Sequence, residues 1–243
     1  MEFHFQKDYL DLFLVPNGLL IMFTYHLYLL YRHYTCPSST TIGLEAFDRV
    51  DWVRTIVQNG DKGTLDRAAS VITTHTTSGT FFATFSLTMS SLIGTFLGSS
   101  SNLFRSNRVY GDTRPFTVFI KNVGLLSCLL LAFSGFVHAV KLLVHANYLL
   151  TMSTPGNKNL ERKIEFMITR GGYCWNLGLR ALYFAITMLL WFFGPIPMFA
   201  SCVFMVIILY YHDIYIVKLH DSYCQLEEPE KYMKAEPRAS FSY

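Results

Sequence analysis

The sequence predicts an all-α protein, a polytopic transmembrane helix bundle of about five spans with short amphipathic helices on its cytosolic side. Three observations predict it. Apolar residues make up 51% of the 243 and charged residues only 15%, against about 25% charged in a soluble domain. Several stretches approach or exceed the roughly 18 to 20 apolar residues that carry a helix across a bilayer. The basic residues between those stretches also fall unevenly on two sides.

The first span, at about 10–31, holds Asp11 only at its edge. It has no basic leader and is followed by Arg32 and His33. It therefore reads as an anchor rather than a cleaved signal. Next, Leu44, Phe47, Val50, Val53, Ile56 and Val57 alternate with acids and bases. That spacing predicts an amphipathic helix ending near Asn59-Gly60. Two placements suit it: flat on the cytosolic membrane face with Trp52 in the interface, or packed against another cytosolic loop.

The second span, at about 70–98, contains no Asp, Glu, Lys or Arg, yet eleven Ser or Thr residues lie between Thr73 and Ser91. The third, at about 116–150, has Lys121 near its start. Then NKNLERKIEFMITRGG predicts a short cytosolic helix with Leu160, Ile164, Met167 and Ile168 in one stripe, ended by Gly171-Gly172.

The last apolar tract, 177–217, would be about 60 Å long as one helix, twice the hydrocarbon thickness. It must fold back. Its middle reads FFGPIPMF, where Gly194, Pro195 and Pro197 predict a tight hairpin turn between helices at about 173–193 and 198–217. Residues 1–220 thus form one transmembrane domain. The polar remainder, 221–243, carries Pro229 and Pro237 without periodicity and predicts a disordered cytosolic tail.

With five spans, thirteen Lys and Arg residues face one side and four, Lys7, Arg105, Arg108 and Arg114, face the other. The positive-inside bias puts the N-terminus outside or lumenal and the C-terminus in the cytosol, in the plasma membrane or an endomembrane. The five cysteines form no disulfide framework. No HEXXH, CXXC, P-loop, GXSXG or dinucleotide fingerprint occurs. The expectation is no catalytic residue, no metal, no cofactor and no enzymatic activity. No basic helix or base-stacking motif occurs, so nucleic acid is not an expected partner.

Three groups of residues are candidates for function. Ser86, Ser90, Gly94 and Gly98 repeat at intervals of four, a stripe of small residues that lets helix backbones approach in lipid. The other half of that span has hydroxyls on several faces. They either bond back to their own helix, as tolerated in membranes, or line a path for water and ions through Thr73, Thr77, Thr80 and Thr84. The third group is a layer of ionisable residues within about two turns of the cytosolic face: His26, His75, His138, Lys141, His145, Arg180, His212 and Asp213. Charges in hydrocarbon are costly and usually paired, so Asp213 is expected to pair with Lys141 or Arg180. The alternative is that the bases snorkel to the interface and the histidines bond carbonyls.

The stretch RGGYCWNLGLRALYFAITMLLWFFGPIPMF, 170–199, resembles the signature of a plant multi-span family known as domain of unknown function 599. LDLFLVPNGLLIMFTYHLYLLYRH, TIGLEAFDRVDWV and LLLAFSGFVHAVKLLVHANYLL are similar to it as well. The resemblance covers about residues 9–218. It implies a plant integral membrane protein and brings no catalytic residue with it. Where relatives carry an Arg-Asn pair, this chain has Thr73-Thr74, which removes a charge from the start of the second span.

Two functions remain: a membrane scaffold or accessory subunit, or an oligomeric channel or transporter with the hydroxyl-rich span lining its path. The expected partners are the lipid bilayer and either further copies of the chain or another membrane protein.

Overall fold

Helix α1 (Lys7–Thr35) runs through Pro16 without a break. Proline removes one backbone donor, and the neighbouring Asn17 side-chain amide donates to the Phe13 carbonyl at 2.7 Å. A 3-10 turn, Pro37–Ser39, then leads into α2 (Thr41–Asn59). The Thr40 side chain caps α2 by accepting from the Gly43 N–H, and Gly60, at φ 58°, closes it. Glycine takes that left-handed conformation without a Cβ penalty. Helices α3 (Lys62–Gly98) and α4 (Pro115–Thr151) follow. Asn157 caps α5 (Lys158–Leu190), and α6 spans Pro195–Asp213. This computed structural model describes residues 7–98, 115–154 and 156–213. The expected tail, 221–243, and the last residues of the expected fifth span lie outside the described residues.

The fold is all-α, as predicted. Among the described residues four helices are long and apolar enough to cross a membrane: α1 from Asp11, α4, α5 and α6. The α3 helix is long enough at 37 residues, but it is not one of these four. Its hydroxyls lower its hydropathy. They are already occupied, because Thr73, Thr74, Thr76, Thr77, Ser78 and Thr80 each donate to a carbonyl four residues back. Large apolar side chains cover the outside, including Phe13 and Leu27 on α1, Phe119 and Val144 on α4, and Phe204 and Ile208 on α6. Such a surface fits lipid better than water.

Two corrections concern the fourth and fifth spans. Gly171-Gly172 do not end a helix; α5 runs straight through them. Both glycines are buried where other helices come close. A Cβ on Gly171 would touch the Leu143 side chain at 3.4 Å, and one on Gly172 would fall on the Arg49 guanidinium. Their smallness serves approach, not breakage. The prolines of GPIP likewise begin α6 rather than precede it, since a first helical turn needs no donor from them. The reversal itself occupies residues 191–194, with Gly194 at φ 140° and its carbonyl accepting from Met198 N–H. Pro195 is buried and Pro197 exposed.

The core has two parts. One joins Val15 and Met22 of α1, Leu129 and Phe136 of α4, and Met188 and Met198 of the α5–α6 corner. The other gathers Val53, Ile56 and Val57 of α2 with Ile72 of α3, Ala146 of α4 and Ile168 of α5. The apolar face of α2 therefore packs against the bundle, while Phe47 stays exposed. The ends of α1 and α4, the last described turn of α6 and the beginnings of α3 and α5 lie toward this α2 end.

Candidate ligand cavity at the α2 end of the bundle

A cavity of about 670 Å³ opens among α2, α3, α5 and α6, with Leu143 of α4 also on its wall. Small-molecule sites typically measure about 300–1,000 Å³. Helix α5 supplies Trp175, Asn176, Arg180 and Tyr183, one helical face two turns long. Helix α2 brings Thr41, Glu45, Asp48, Arg49 and Trp52, α3 brings His75, and α6 brings His212 and Asp213.

Of the predicted ionisable layer, His75, Arg180, His212 and Asp213 share this wall. His26 lies close to it: its ring meets Phe184 at 5.0 Å and Nδ1 lies 2.7 Å from the Met22 carbonyl. His138, Lys141 and His145 do not join. All three are exposed on the outward face of α4, and His138 Nδ1 lies 2.9 Å from the Ser134 carbonyl.

Asp213 takes other partners than those expected. Its carboxylate accepts from the Tyr25 hydroxyl and, at 3.0 Å, from the Thr41 hydroxyl. Among the described residues no ion pair within 4.0 Å links it to Arg180 or Lys141. Arg180 stands on the same wall and feels the Asp213 and Glu45 charges at longer range. Tyr25 and Thr41 were missed because a search for charged groups passes over neutral donors. A second set also lies outside the predicted layer. Glu45 accepts from Arg49 at 2.9 Å and from Asn176 at 3.4 Å, tying α2 to α5. Outside the cavity, Arg54 donates to Glu165 at 2.8 Å. That carboxylate raises the Arg54 pKa above its ordinary value.

Below the cavity the interior is filled. Trp175 packs edge-on to Phe82 and Phe136, with centroids 5.8 and 5.5 Å away, and those two rings stack at 5.3 Å. At the far end Asp11, only 7% exposed, accepts from the Trp191 indole at 3.0 Å, and Lys121 lies over the same indole at 5.1 Å.

Thr73, Thr77, Thr80 and Thr84 are all exposed on the outside of α3. In the small-residue stripe, Ser86 and Ser90 are buried, whereas a Cβ on Gly94 would meet nothing within 4 Å. Gly98 is the last residue of α3, and its surroundings lie outside the described side chains. Among the described residues no three His, Cys, Asp or Glu side chains are placed to hold a metal.

Four apolar helices with apolar outer surfaces around a shared core fit a membrane-embedded helical bundle. The chain belongs to the family described as "Protein of unknown function, DUF599", which matches residues 13–217. No curated protein and no solved structure matches it.

Proposed function

We propose that the protein is a non-enzymatic integral membrane scaffold or accessory subunit, with five spans and the α2 end in the cytosol. One observation carries this reading. The hydroxyl-rich face of α3 points away from the bundle, and the hydroxyls of its Thr73, Thr77 and Thr80 are turned onto carbonyls of the same helix, while Phe82, Phe136 and Trp175 fill the interior at that level. A single chain then offers surfaces for neighbours rather than a polar path of its own. Self-bonded hydroxyls also make α3 tolerable in lipid despite its lower hydropathy.

A second reading rests on the same face. Thr73, Thr77, Thr80 and Thr84 are exposed, so several copies could surround a path between them. Ion flux from liposomes holding the purified chain separates the two. The scaffold reading expects no flux above empty liposomes for wild type, Thr77→Val or Asp213→Asn. Flux through wild type that Thr77→Val alters would overturn it in favour of a path between copies.

A further inference from the structure

We propose that the cavity at the α2 end binds a phosphate-bearing ligand anchored by the Arg180 guanidinium, and that a membrane phospholipid supplies the phosphate. The inference does not depend on whether the protein is a scaffold or a channel.

The wall has cationic donors to spare. Arg180 is half-buried, and among the described residues it makes no hydrogen bond and no ion pair. Arg49 gives Nη2 to Glu45, while its Nη1 is buried without a partner. A guanidinium holds five N–H donors in a planar fork that matches phosphate oxygens. Leaving such donors half-desolvated costs free energy that an anion would recover.

The wall's carboxylates are already committed or peripheral. Asp213 is held by Tyr25 and Thr41. Glu45 is shared between Arg49 and Asn176. Asp48 is exposed. The three carboxylates keep their charge, and the free donors on the wall are the guanidinium groups of Arg180 and Arg49.

Size and position favour a lipid as the source. The cavity, about 670 Å³, is far larger than one phosphate needs. Ile72, Leu143, Ile168, Leu179 and Leu209 give its wall apolar surface beside the polar groups. Apolar residues beside free guanidinium donors suit an amphiphile that carries a phosphate. The cavity also lies at the α2 end of the bundle, and basic pockets between spans near one membrane face meet lipid headgroups.

Trp52 and Trp175 on the wall report occupancy. The test titrates the purified full chain in neutral detergent with dihexanoyl phosphatidic acid, dihexanoylglycerol or inorganic phosphate, following tryptophan fluorescence. Wild type and Lys141→Gln, whose exposed lysine is off the wall, should respond saturably to phosphatidic acid with the same affinity. Arg180→Gln should weaken that binding about ten-fold or more, with Arg180→Lys between, because lysine keeps the charge and loses the fork. Dihexanoylglycerol should bind as poorly to wild type as phosphatidic acid does to Arg180→Gln. The proposal is overturned if wild type gives no saturable response, if a folded Arg180→Gln binds like wild type, or if dihexanoylglycerol binds as well as phosphatidic acid. Inorganic phosphate binding as tightly as phosphatidic acid would overturn the lipid source and assign the site to soluble phosphate. Should Arg180→Gln fail to fold, Arg180→Lys and the two dihexanoyl ligands on wild type still decide the matter.

Discussion

Gly135 and Gly178 mark a close approach of α4 and α5, and replacing Gly135 should force the two helices apart. A Cβ built on Gly135 would lie 2.9 Å from both Cα and N of Gly178 and 3.0 Å from the Cys174 carbonyl oxygen. Ordinary carbon contacts lie at about 3.5–4.0 Å, so Gly135→Ala requires a separation of about 0.5–1 Å. The obstacle is backbone, which cannot swing aside as a side chain can. Overpacking costs about 1–3 kcal/mol, and backbone obstruction puts this case at about 2–3 kcal/mol. Alanine's better helix propensity offsets about 1 kcal/mol. The net loss is about 1–2 kcal/mol, or roughly 2–8 °C in Tm for a chain of this size. Thermal unfolding of the purified chain in detergent measures it, with two internal comparisons. Gly178→Ala meets the Phe136 ring at 3.0 Å and should cost less, because a ring can shift. Gly94→Ala meets nothing within 4 Å and should hold or raise Tm. A Gly135→Ala chain that melts with or above Gly94→Ala would refute the claim that this crossing is fixed by backbone contact.

Two further substitutions probe the cavity's supports. Tyr25→Phe removes one of the two hydroxyls that hold Asp213, and a hydrogen bond to a charged group contributes about 1.5–3 kcal/mol; unfolding in detergent should show a loss of that size, and Thr41→Ser, which keeps its hydroxyl, a smaller one. Thr40→Ala removes a buried side chain that accepts from Gly43 N–H at 3.3 Å and donates to the Pro37 carbonyl at 3.0 Å. The lost cap should cost about 1 kcal/mol, with faster amide exchange at the start of α2 and near-full recovery in Thr40→Ser.

What could be read from the chain divides by range. Local signals carried well. The apolar runs of α1 and α4, the Asn59-Gly60 stop of α2 and the reversal near Gly194 all depend on neighbouring residues. The back-bonding of the α3 hydroxyls is local too, since each reaches one turn back. Signals that need a distant partner did not carry. Gly171-Gly172 look like a helix stop until Leu143 and Arg49 are seen pressing on them. Asp213 stands out as a charge near a helix end, but its partners are a tyrosine 188 residues away and a threonine 172 away. Neither has a charge to attract notice.

Helix azimuth explains why half the ionisable layer faces the cavity and half does not. Counting along the chain gives depth, and depth alone defines the predicted layer. Rotation about each helix axis is set by packing, and the Gly135–Gly178 crossing sets it for α4 and α5. With Gly135 taken as zero and about 100° per residue, Ala139 and Ala146 fall within about 40° of the contact line, and both are fully buried. On the same wheel His138, Lys141 and His145 fall at about 240–300°, and all three are exposed. On α5, Arg180 lies two residues past Gly178, about 200° around. The crossing therefore turns Arg180 away from α4 and onto the wall it shares with Asp213. The three α4 bases are exposed together, and which way their face points is decided by two glycines with no charge at all.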